Sequence, residues 1–372
     1  MKKRYGKWIF AVLFTAIPAI LAVLIFVLPH ERFSAAENRM LQKWEAPTVA
    51  SVLDGSWQKQ FDEYLTDHFP LRNGAVSTAN TVKVILGARD LNGAWIGRNG
   101  RLFEKVGAGD CSLDEGSQGK RNIALIREFA AKHDLPTTWM PVPAAFEIYG
   151  EELPALASPY DAEAARAALR GAVGGDRVID LCESFRALGK EKNLYYRTDH
   201  HWTADACAIA ADAFLEKTCD RPHRTVSDRF YGSLWSKTML PNAVCDRVEV
   251  PDADFSGVTV VADGKEIPVL DWAKVSEKDV YTVFFGGNHG KMVIDTGKEG
   301  KTLLVLKDSF ANSFLPELLA SDSPYGRVVV IDLRYFKGSM TAVTAEEAPD
   351  EMLVLYELHN LLCDSSILGI VL

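Results

Sequence analysis

Two short stretches of the sequence carry side chains that could catalyse a reaction. The first is Asp199-His200-His201-Trp202, which places a carboxylate and two imidazoles in consecutive positions before a predicted helix. An aspartate two residues from a histidine can hydrogen-bond the imidazole, select its tautomer and stabilise its protonated form. The same pattern arises if Asp199 only caps the helix and the histidines lie on the surface. The stretch alone therefore leaves both interpretations open.

The second stretch is Lys307-Asp308-Ser309-Phe310, where the apolar run of residues 302–306 predicts a buried strand and the following residues predict a helix. A serine between such a strand and helix lies where α/β enzymes place reactive groups. The N–H groups and dipole of the helix N-terminus would stabilise an oxyanion there, as acyl transfer requires. A single serine of this kind is usually only a helix cap. Together with the Asp-x-His sequence, it favours a catalytic role.

Other chemistries have less support in the sequence. Zinc or iron sites need three or four ligands, and the remaining histidines show no ligand spacing, so we expect no metal. They are His30, His68, His133, His223, His289 and His359. Gly300-Lys301-Thr302 resembles the end of a phosphate-binding loop, but the glycine required five positions earlier is Asp295. The net charge of −9 argues against a broad nucleic-acid surface.

Residues 8–28 form the longest apolar run in the 372-residue chain and contain no charged side chain. Twenty-one helical residues span roughly 30 Å, the thickness of a bilayer core. The preceding residues 1–7 are basic, which predicts a cytoplasmic tail and an extracytoplasmic chain from residue 29 onward. The run exceeds the apolar region of a signal peptide, which favours a retained signal-anchor. Ser34-Ala35-Ala36 leaves cleavage as the alternative.

The rest of the chain predicts a three-layer α/β domain behind a membrane-proximal segment. Residues 29–90 predict a stalk and a helix over about 56–71, and Asn99-Gly100 predicts a hairpin turn. Short apolar strands alternating with helices then predict a mostly parallel sheet covered on both faces. The predicted helices are 123–132, 162–172, 203–217 and 310–320, and the predicted strands are 137–142, 178–181, 302–306, 327–331 and 351–358. Thr203 is predicted to cap its helix.

Residues 222–300 are less regular and predict an insertion with β-rich pieces such as VTVV and VYTVFF. The chain also contains six cysteines without a C-x-x-C pair: Cys111, Cys182, Cys207, Cys219, Cys245 and Cys363. Outside the membrane they are free to form disulfides, whereas a domain of this size does not need them to fold. Free thiols and disulfides both remain open.

The segment LYYRTDHHWTADA resembles the signature of the DHHW family, which is named for four of these residues. It is similar in turn to the alginate O-acetyltransferase branch of the SGNH-hydrolase superfamily. The segments ENRMLQKWEAPT, FDEYLTDHFPLRN, NGAWIGRNGRLFE, KDSFANSFLPEL and IDLRYF fit the same family. The resemblance implies a flavodoxin-like SGNH catalytic domain over residues 91–372, permuted so that the Asp-x-His sequence precedes the serine in the chain.

Mapped onto this sequence, the resemblance implies that Ser309 is the nucleophile, His201 the general base and Asp199 its orienting carboxylate. The Ser309 N–H is the first expected oxyanion donor, although this serine lies in Lys-Asp-Ser instead of Gly-Asp-Ser. Further expected oxyanion or substrate residues are Asn360, Gly287, Asn288, Arg334 and Trp202, the last as a surface for a sugar ring.

The implied activity is that of a membrane-anchored, extracytoplasmic O-acetyltransferase acting on a cell-envelope or exported polysaccharide. Because acetyl-CoA is cytoplasmic, the resemblance also implies that a multi-span membrane-bound O-acyltransferase delivers the acetyl group. Neither a cofactor nor a metal is then needed. Two alternatives remain open: a carbohydrate acetyl-esterase using the same residues, and a non-catalytic glycan-binding or scaffold module of an envelope acetylation complex.

Overall fold

A computed structural model describes residues 2–371, with side chains from residue 8 onward. The basic side chains of the predicted 1–7 tail therefore lie outside the described residues. The chain divides into two compact units. Unit 1 comprises the chain up to Ala88 together with residues 236–242, and unit 2 comprises residues 89–235 and the chain from Ala243 onward.

The helices and strands are numbered here in chain order. They are α1 Lys2–Val27, β1 Phe33–Ser34, β2 Arg39–Met40, α2 Val49–Leu53, α3 Ser56–Asp67, α4 Arg72–Ile85, β3 Asp90–Leu91, β4 Ala94–Ile96, β5 Leu102–Glu104, α5 Gln118–Lys132, β6 Thr137–Val142, α6 Ala145–Ile148, α7 Ala162–Val173, α8 Cys182–Leu188, α9 Ala204–Leu215, β7 His223–Phe230, α10 Ser233–Thr238, β8 Asp246–Pro251, β9 Thr259–Ala262, β10 Lys265–Ile267, β11 Lys291–Asp295, β12 Lys301–Lys307, α11 Ala311–Ala320, β13 Tyr325–Ile331, α12 Met340–Glu347, β14 Glu351–Glu357 and α13 Leu358–Cys363.

Unit 1 contains the apolar helix predicted at the N-terminus. Within α1, residues 8–27 have a mean hydropathy of 2.8, and in the described part of the chain this is the helix long and apolar enough to cross a membrane. Most of its large apolar side chains are exposed, with Phe10 and Phe14 more than two-thirds accessible. Exposure of this kind suits contact with lipid and is shared by membrane anchors and signal sequences.

The helix predicted over 56–71 is present as α3 but is four residues shorter, and a second helix that was not predicted follows it. The first, α3, ends at Asp67, and α4 begins after Leu71, which adopts a left-handed φ of +59°. Trp44 packs edge-on against Phe61 and Tyr64 of α3, with ring centroids 5.7 and 5.4 Å apart. The segment predicted as a stalk thus contributes an aromatic side chain to the packing of unit 1.

Unit 2 is built on a seven-stranded sheet in the order β10-β9-β11-β13-β12-β14-β6. Strands β13, β12, β14 and β6 are parallel, and β11, β9 and β10 extend the sheet antiparallel. Residues 303–306 of β12 are all fully buried. Because successive side chains of a strand point to opposite faces, both faces must be covered. The α/β class with a large parallel core is confirmed, whereas the antiparallel extension was not predicted.

Three local predictions are wrong. Residues 178–181 do not form a strand, because only Val178 pairs with Trp139 before α8 begins. The VYTVFF piece contains a 3-10 helix over Val280–Val283, whereas the VTVV piece does lie largely in β9. Thr203 occupies the N-cap position of α9, but its hydroxyl donates to the Asn193 carbonyl (2.8 Å) instead of capping the helix.

The sheet also determines where the chemistry-bearing residues lie. Strands β12 and β14 are parallel neighbours whose last paired residues are Lys307 and Leu355. The segments that follow them, which carry Ser309 and Asn360, therefore leave the sheet at the same edge. Parallel strands with covered faces commonly bind ligands at their carboxyl ends.

Candidate active site

The segment that carries Asp199 and His201 is a tight antiparallel hairpin. Tyr195 pairs with Trp202 across it, and the Tyr196 N–H donates to the His201 carbonyl (3.1 Å). All of these side chains are at most 6% exposed. The hairpin is thus a rigid part of the core, in contrast to a surface loop with solvated histidines.

Two buried charged side chains hold this hairpin in place. The Arg101 guanidinium donates to the carbonyls of Tyr195 (3.0 Å) and Tyr196 (3.3 Å). On the other side, the Asp246 carboxylate accepts from the N–H groups of Arg197 (2.7 Å) and Thr198 (2.8 Å). Hydrogen bonds to charged groups are among the stronger ones in proteins, so they anchor the backbone next to Asp199.

Asp199, His201 and Ser309 form one continuous hydrogen-bonded chain. The imidazole Nδ1 of His201 lies 2.6 Å from Asp199 Oδ1, and its Nε2 lies 2.8 Å from Ser309 Oγ. Asp199 also accepts from the N–H of His201 (2.9 Å) and, through Oδ2, from the N–H of Ser233 (2.7 Å). We call these three residues the base network. Their geometry is that of a nucleophile, a base and a carboxylate that orients the base.

Gly232 allows the backbone to approach the Asp199 carboxylate this closely. A Cβ at position 232 would lie 2.2 Å from the Asp199 Cβ and 2.5 Å from its Oδ2. Any side chain there would displace the carboxylate and the Ser233 N–H that bonds to it.

The electrostatics of the base network favour a neutral imidazole beside an ionised carboxylate. Burial and the neighbouring His200 lower the pKa of His201 to about 4. Burial alone would raise the pKa of Asp199, but the two imidazoles and the hydrogen bonds from His201 hold it well below its ordinary value. At neutral pH, His201 is therefore unprotonated and able to accept the Ser309 proton.

Ser309 lies in a sharp turn between β12 and α11 that Asp308 organises. The Asp308 carboxylate accepts from the N–H groups of Phe310 (2.9 Å) and Glu357 (2.8 Å) and from the side-chain amide of Asn360 (2.9 Å). Within residues 2–371, the Ser309 N–H donates to no protein acceptor. It is thus available at the start of α11 as an oxyanion donor, while Asn360 lies against Asp308.

Tyr281 is a site residue that the sequence did not reveal. Its ring stacks on the His201 imidazole with centroids 3.9 Å apart and an interplanar angle of 8°. Its hydroxyl donates to the Ser309 carbonyl (2.9 Å) and lies 3.0 Å from Ser313 Oγ. One side chain therefore contacts both the base and the nucleophile's backbone. Tyr281 and His201 are 80 positions apart in the chain, and no local pattern links them.

Trp202 is fully buried, although the sequence suggested it as a surface for a sugar ring. Its indole N–H donates to the Phe310 carbonyl (2.9 Å) and to Ser313 Oγ (3.0 Å). The side chain thus ties the His201 hairpin to the first turn of α11. An indole enclosed in this way offers no free face to a ligand.

A second charged network, which we call the lysine network, is centred on Lys307, two residues before Ser309. Its ammonium is fully buried, lies 3.2 Å from the Asp332 carboxylate and donates to Asn312 Oδ1 (2.7 Å) and Asn288 Oδ1 (3.1 Å). Arg334 binds the same carboxylate through two hydrogen bonds of 2.9 and 2.7 Å. Asn288 and Arg334 therefore belong to the same network as Lys307, the residue that stands in place of the expected glycine of Gly-Asp-Ser.

Gly287 precedes Asn288 in a turn with a φ of +119°, which favours glycine. Its N–H donates to the Phe284 carbonyl (3.1 Å), so the turn itself uses this donor. The Ser309 N–H therefore remains an expected oxyanion donor without a protein acceptor in the described chain, whereas the Gly287 N–H and the Asn360 amide are already used.

Asp199, His200 and His201 also have ligand atoms within 4.8 Å of one another, as a metal site requires. His201 uses both ring nitrogens toward Asp199 and Ser309, and His200 Nδ1 lies 2.8 Å from Ser233 Oγ. A metal would have to displace these hydrogen bonds. The donor set fits proton transfer better than metal ligation.

The comparisons with known proteins agree with this fold. Residues 96–229, which include the Asp199–Trp202 hairpin, match the family model described as the SGNH hydrolase-like domain of acetyltransferase AlgX. The match confirms the resemblance drawn from the sequence and supports a role of the acetyltransferase type. Comparison with curated proteins gives no significant match.

Solved structures extend the likeness to most of the chain. A DHHW family protein from Eubacterium siraeum is 19% identical with a TM-score of 0.59, over 76% of this chain and 95% of its own. Bacillus cereus PatB1 is 17% identical with a TM-score of 0.60, over 72% and 97%. A PatB1 structure with a sulfonyl adduct is 16% identical with a TM-score of 0.58, over 73% and 98%. At these identities the likeness establishes a shared fold.

Proposed function

We propose that this protein is a membrane-anchored, extracytoplasmic O-acetyltransferase that modifies a cell-envelope or exported polysaccharide. The observation that carries the proposal is the unbroken hydrogen-bonded chain from Asp199 through His201 to Ser309. The acetyltransferase-type domain match supports acyl transfer as the chemistry. The apolar helix α1 supports attachment to the membrane.

In the first half-reaction, Ser309 Oγ attacks the acetyl carbonyl while His201 Nε2 accepts the hydroxyl proton. Asp199 stabilises the imidazolium, and the Ser309 N–H at the start of α11 stabilises the oxyanion. The bond to the donor's leaving group then breaks, and His201 returns the proton to that group. Acetyl-Ser309 is the product. A multi-span membrane acyltransferase is the proposed donor.

In the second half-reaction, a sugar hydroxyl gives its proton to His201 and its oxygen attacks the acetyl carbonyl. The ester bond to Ser309 breaks, and Ser309 Oγ recovers the proton from His201. The step needs an acceptor hydroxyl close to His201 Nε2 and needs water to compete poorly. With water as acceptor, the same residues would make the protein an esterase.

The test follows acetate release and acetyl transfer from a chromogenic acetyl ester, with and without an oligosaccharide acceptor. The proposal predicts transfer by the wild type and none by Ser309→Ala, whereas Ser184→Ala, an exposed helical serine, behaves as the wild type. Release of acetate without any transfer would instead identify an esterase. If cellular acetylation is unchanged in Ser309→Ala while the protein accumulates normally, the protein is a non-catalytic module.

A further inference from the structure

Two of the six cysteines meet in the folded chain although they are 252 positions apart. The sulfurs of Cys111, in the loop between β5 and α5, and Cys363, at the end of α13, are 2.7 Å apart. This is about 0.7 Å more than the length of a disulfide bond, so the two sulfurs are already close to bonding distance. Cys182, Cys207, Cys219 and Cys245 make no such contact in the described chain.

The two thiols differ in a way that suits oxidation. Cys111 is buried, whereas Cys363 is partly exposed and can be reached by a partner. The hydrogen bond from Cys111 and the nearby His359 lower the pKa of Cys363, and the same hydrogen bond together with burial raises the pKa of Cys111. His359 lies one helical turn before Cys363, and the Glu357 carboxylate raises its pKa to about 10 despite burial. Cys363 is therefore the thiol able to act as the attacking thiolate.

The helix that ends at Cys363 also belongs to the surroundings of the site. Asn360 of α13 donates to the Asp308 carboxylate (2.9 Å), which organises the turn of Ser309. In the last turn of α13, the buried Asn122 amide donates to the carbonyls of Leu361 (3.0 Å) and Leu362 (2.9 Å). A covalent link at Cys363 would thus hold the helix that supports Asp308.

We propose that Cys111 and Cys363 form a disulfide outside the membrane, and that this bond secures α13 against the loop after β5. The oxidant is a disulfide-bonded oxidoreductase or an oxidised low-molecular-weight disulfide. The Cys363 thiolate attacks it and forms a mixed disulfide, and one thiolate leaves. Cys111 loses its proton and attacks the Cys363 sulfur, which forms the intramolecular bond and releases the second thiol. The two electrons and two protons pass to the oxidant.

The experiment equilibrates the full chain, in detergent, with glutathione buffers from fully reduced to fully oxidised. Free thiols are then alkylated under denaturing conditions, and the protein is digested and analysed by mass spectrometry. We expect two of the six cysteines to become protected, with a linked peptide joining positions 111 and 363. Because the closed loop is long, oxidation should also raise the Tm by about 3 °C or more.

Variants separate this bond from other thiol chemistry. Cys363→Ala and Cys111→Ala should lose both the linked peptide and the rise in Tm, whereas Cys219→Ala, also partly exposed, should keep both. Six alkylated cysteines at every glutathione ratio, or a linked peptide from another pair, would overturn the proposal. The presence or absence of the linked peptide in the wild type tests for the Cys111–Cys363 disulfide even if a variant fails to fold. The outcome is independent of acetyl transfer, since no step of the assay uses that activity.

Discussion

The base network, which includes Ser309, and the lysine network, centred two residues before Ser309, differ in how their charges are balanced. In the base network, His201 meets one carboxylate and a second imidazole, and its pKa falls to about 4. In the lysine network, Lys307 and Arg334 share the Asp332 carboxylate, and hydrogen bonds hold the pKa of that carboxyl below its ordinary value. Burial lowers the pKa of both His201 and Lys307, and the value of about 4 leaves His201 neutral at physiological pH. The base network can therefore accept a proton, whereas in the lysine network the ammonium group is surrounded by a carboxylate and two amide oxygens that hold it in place.

The largest effect on activity should come from removing the base. His201→Ala leaves Ser309 without a proton acceptor, and we expect acylation by a chromogenic acetyl ester to fall roughly 10³-fold. The Asp199 carboxylate loses the imidazole but keeps its hydrogen bonds from the backbone N–H groups of residues 201 and 233, so the free energy of unfolding should change less than the rate does. His223→Ala, which removes a histidine that pairs with Glu317 away from the site, is the matched control. Equal rates for the two variants would contradict the role of the base network.

Breaking the lysine network should affect stability more strongly than acylation. Lys307→Met leaves the Asp332 carboxylate buried with Arg334 alone, and we expect a loss of roughly 3 kcal/mol in the free energy of unfolding by urea. Lys301, at the other end of β12, makes an ion pair of the same 3.2 Å length with Glu351, but its side chain is 57% exposed. Lys301→Met should therefore cost less than about 1 kcal/mol. Similar losses for the two variants would show that burial does not distinguish these lysines.

Variants of Tyr281 test how the base is positioned, because this side chain contacts the base network through both its ring and its hydroxyl. Tyr281→Phe keeps the stack on His201 and should lower acylation only about 10-fold, whereas Tyr281→Leu removes the stack and should cost about 10²-fold by misplacing the imidazole. Tyr160→Phe serves as control, since its buried hydroxyl has no partner among the described residues. If Tyr281→Leu leaves both the rate and its pH profile unchanged, the stack does not position His201.

The smallest expected effect is a displacement of the pH profile. Acylation requires neutral His201, so the rate should hold to about pH 5 and fall as the pH drops through the His201 pKa of about 4. His200→Gln removes a neighbouring positive charge that lowers this pKa, so the acid limb should move to higher pH. Phosphate-free stopped assays between pH 3 and 8 would measure it. A wild-type limb near the ordinary histidine value of 6.5 would contradict the neutral base.

The parts of the site that the sequence could reveal are those whose residues are close together in the chain. Asp199 and His201 share one hairpin, and Ser309 follows a strand whose residues 303–306 are all apolar because the sheet is covered on both faces. Each of these patterns is local, so each could be read without the fold. The α/β class followed from the same apolar strands.

The contacts that the sequence could not reveal join residues distant in the chain. Tyr281 and Ser233 reach the base network from segments whose local patterns predicted only an irregular insertion, and part of that insertion forms β9, β10 and β11 of the central sheet. Lys307 was noticed only as a departure from Gly-Asp-Ser. Its partner Asp332 comes from the end of a neighbouring strand, and this pairing depends on the strand order β13-β12.

The most direct test of the central claim is covalent labelling of the full chain with a serine-directed sulfonyl fluoride. The claim is that the base network activates Ser309. It predicts a single adduct, mapped by mass spectrometry to Ser309, that is absent in Ser309→Ala and forms at least about 10²-fold more slowly in His201→Ala. Labelling of a different residue, or equal labelling rates in the wild type and His201→Ala, would contradict it.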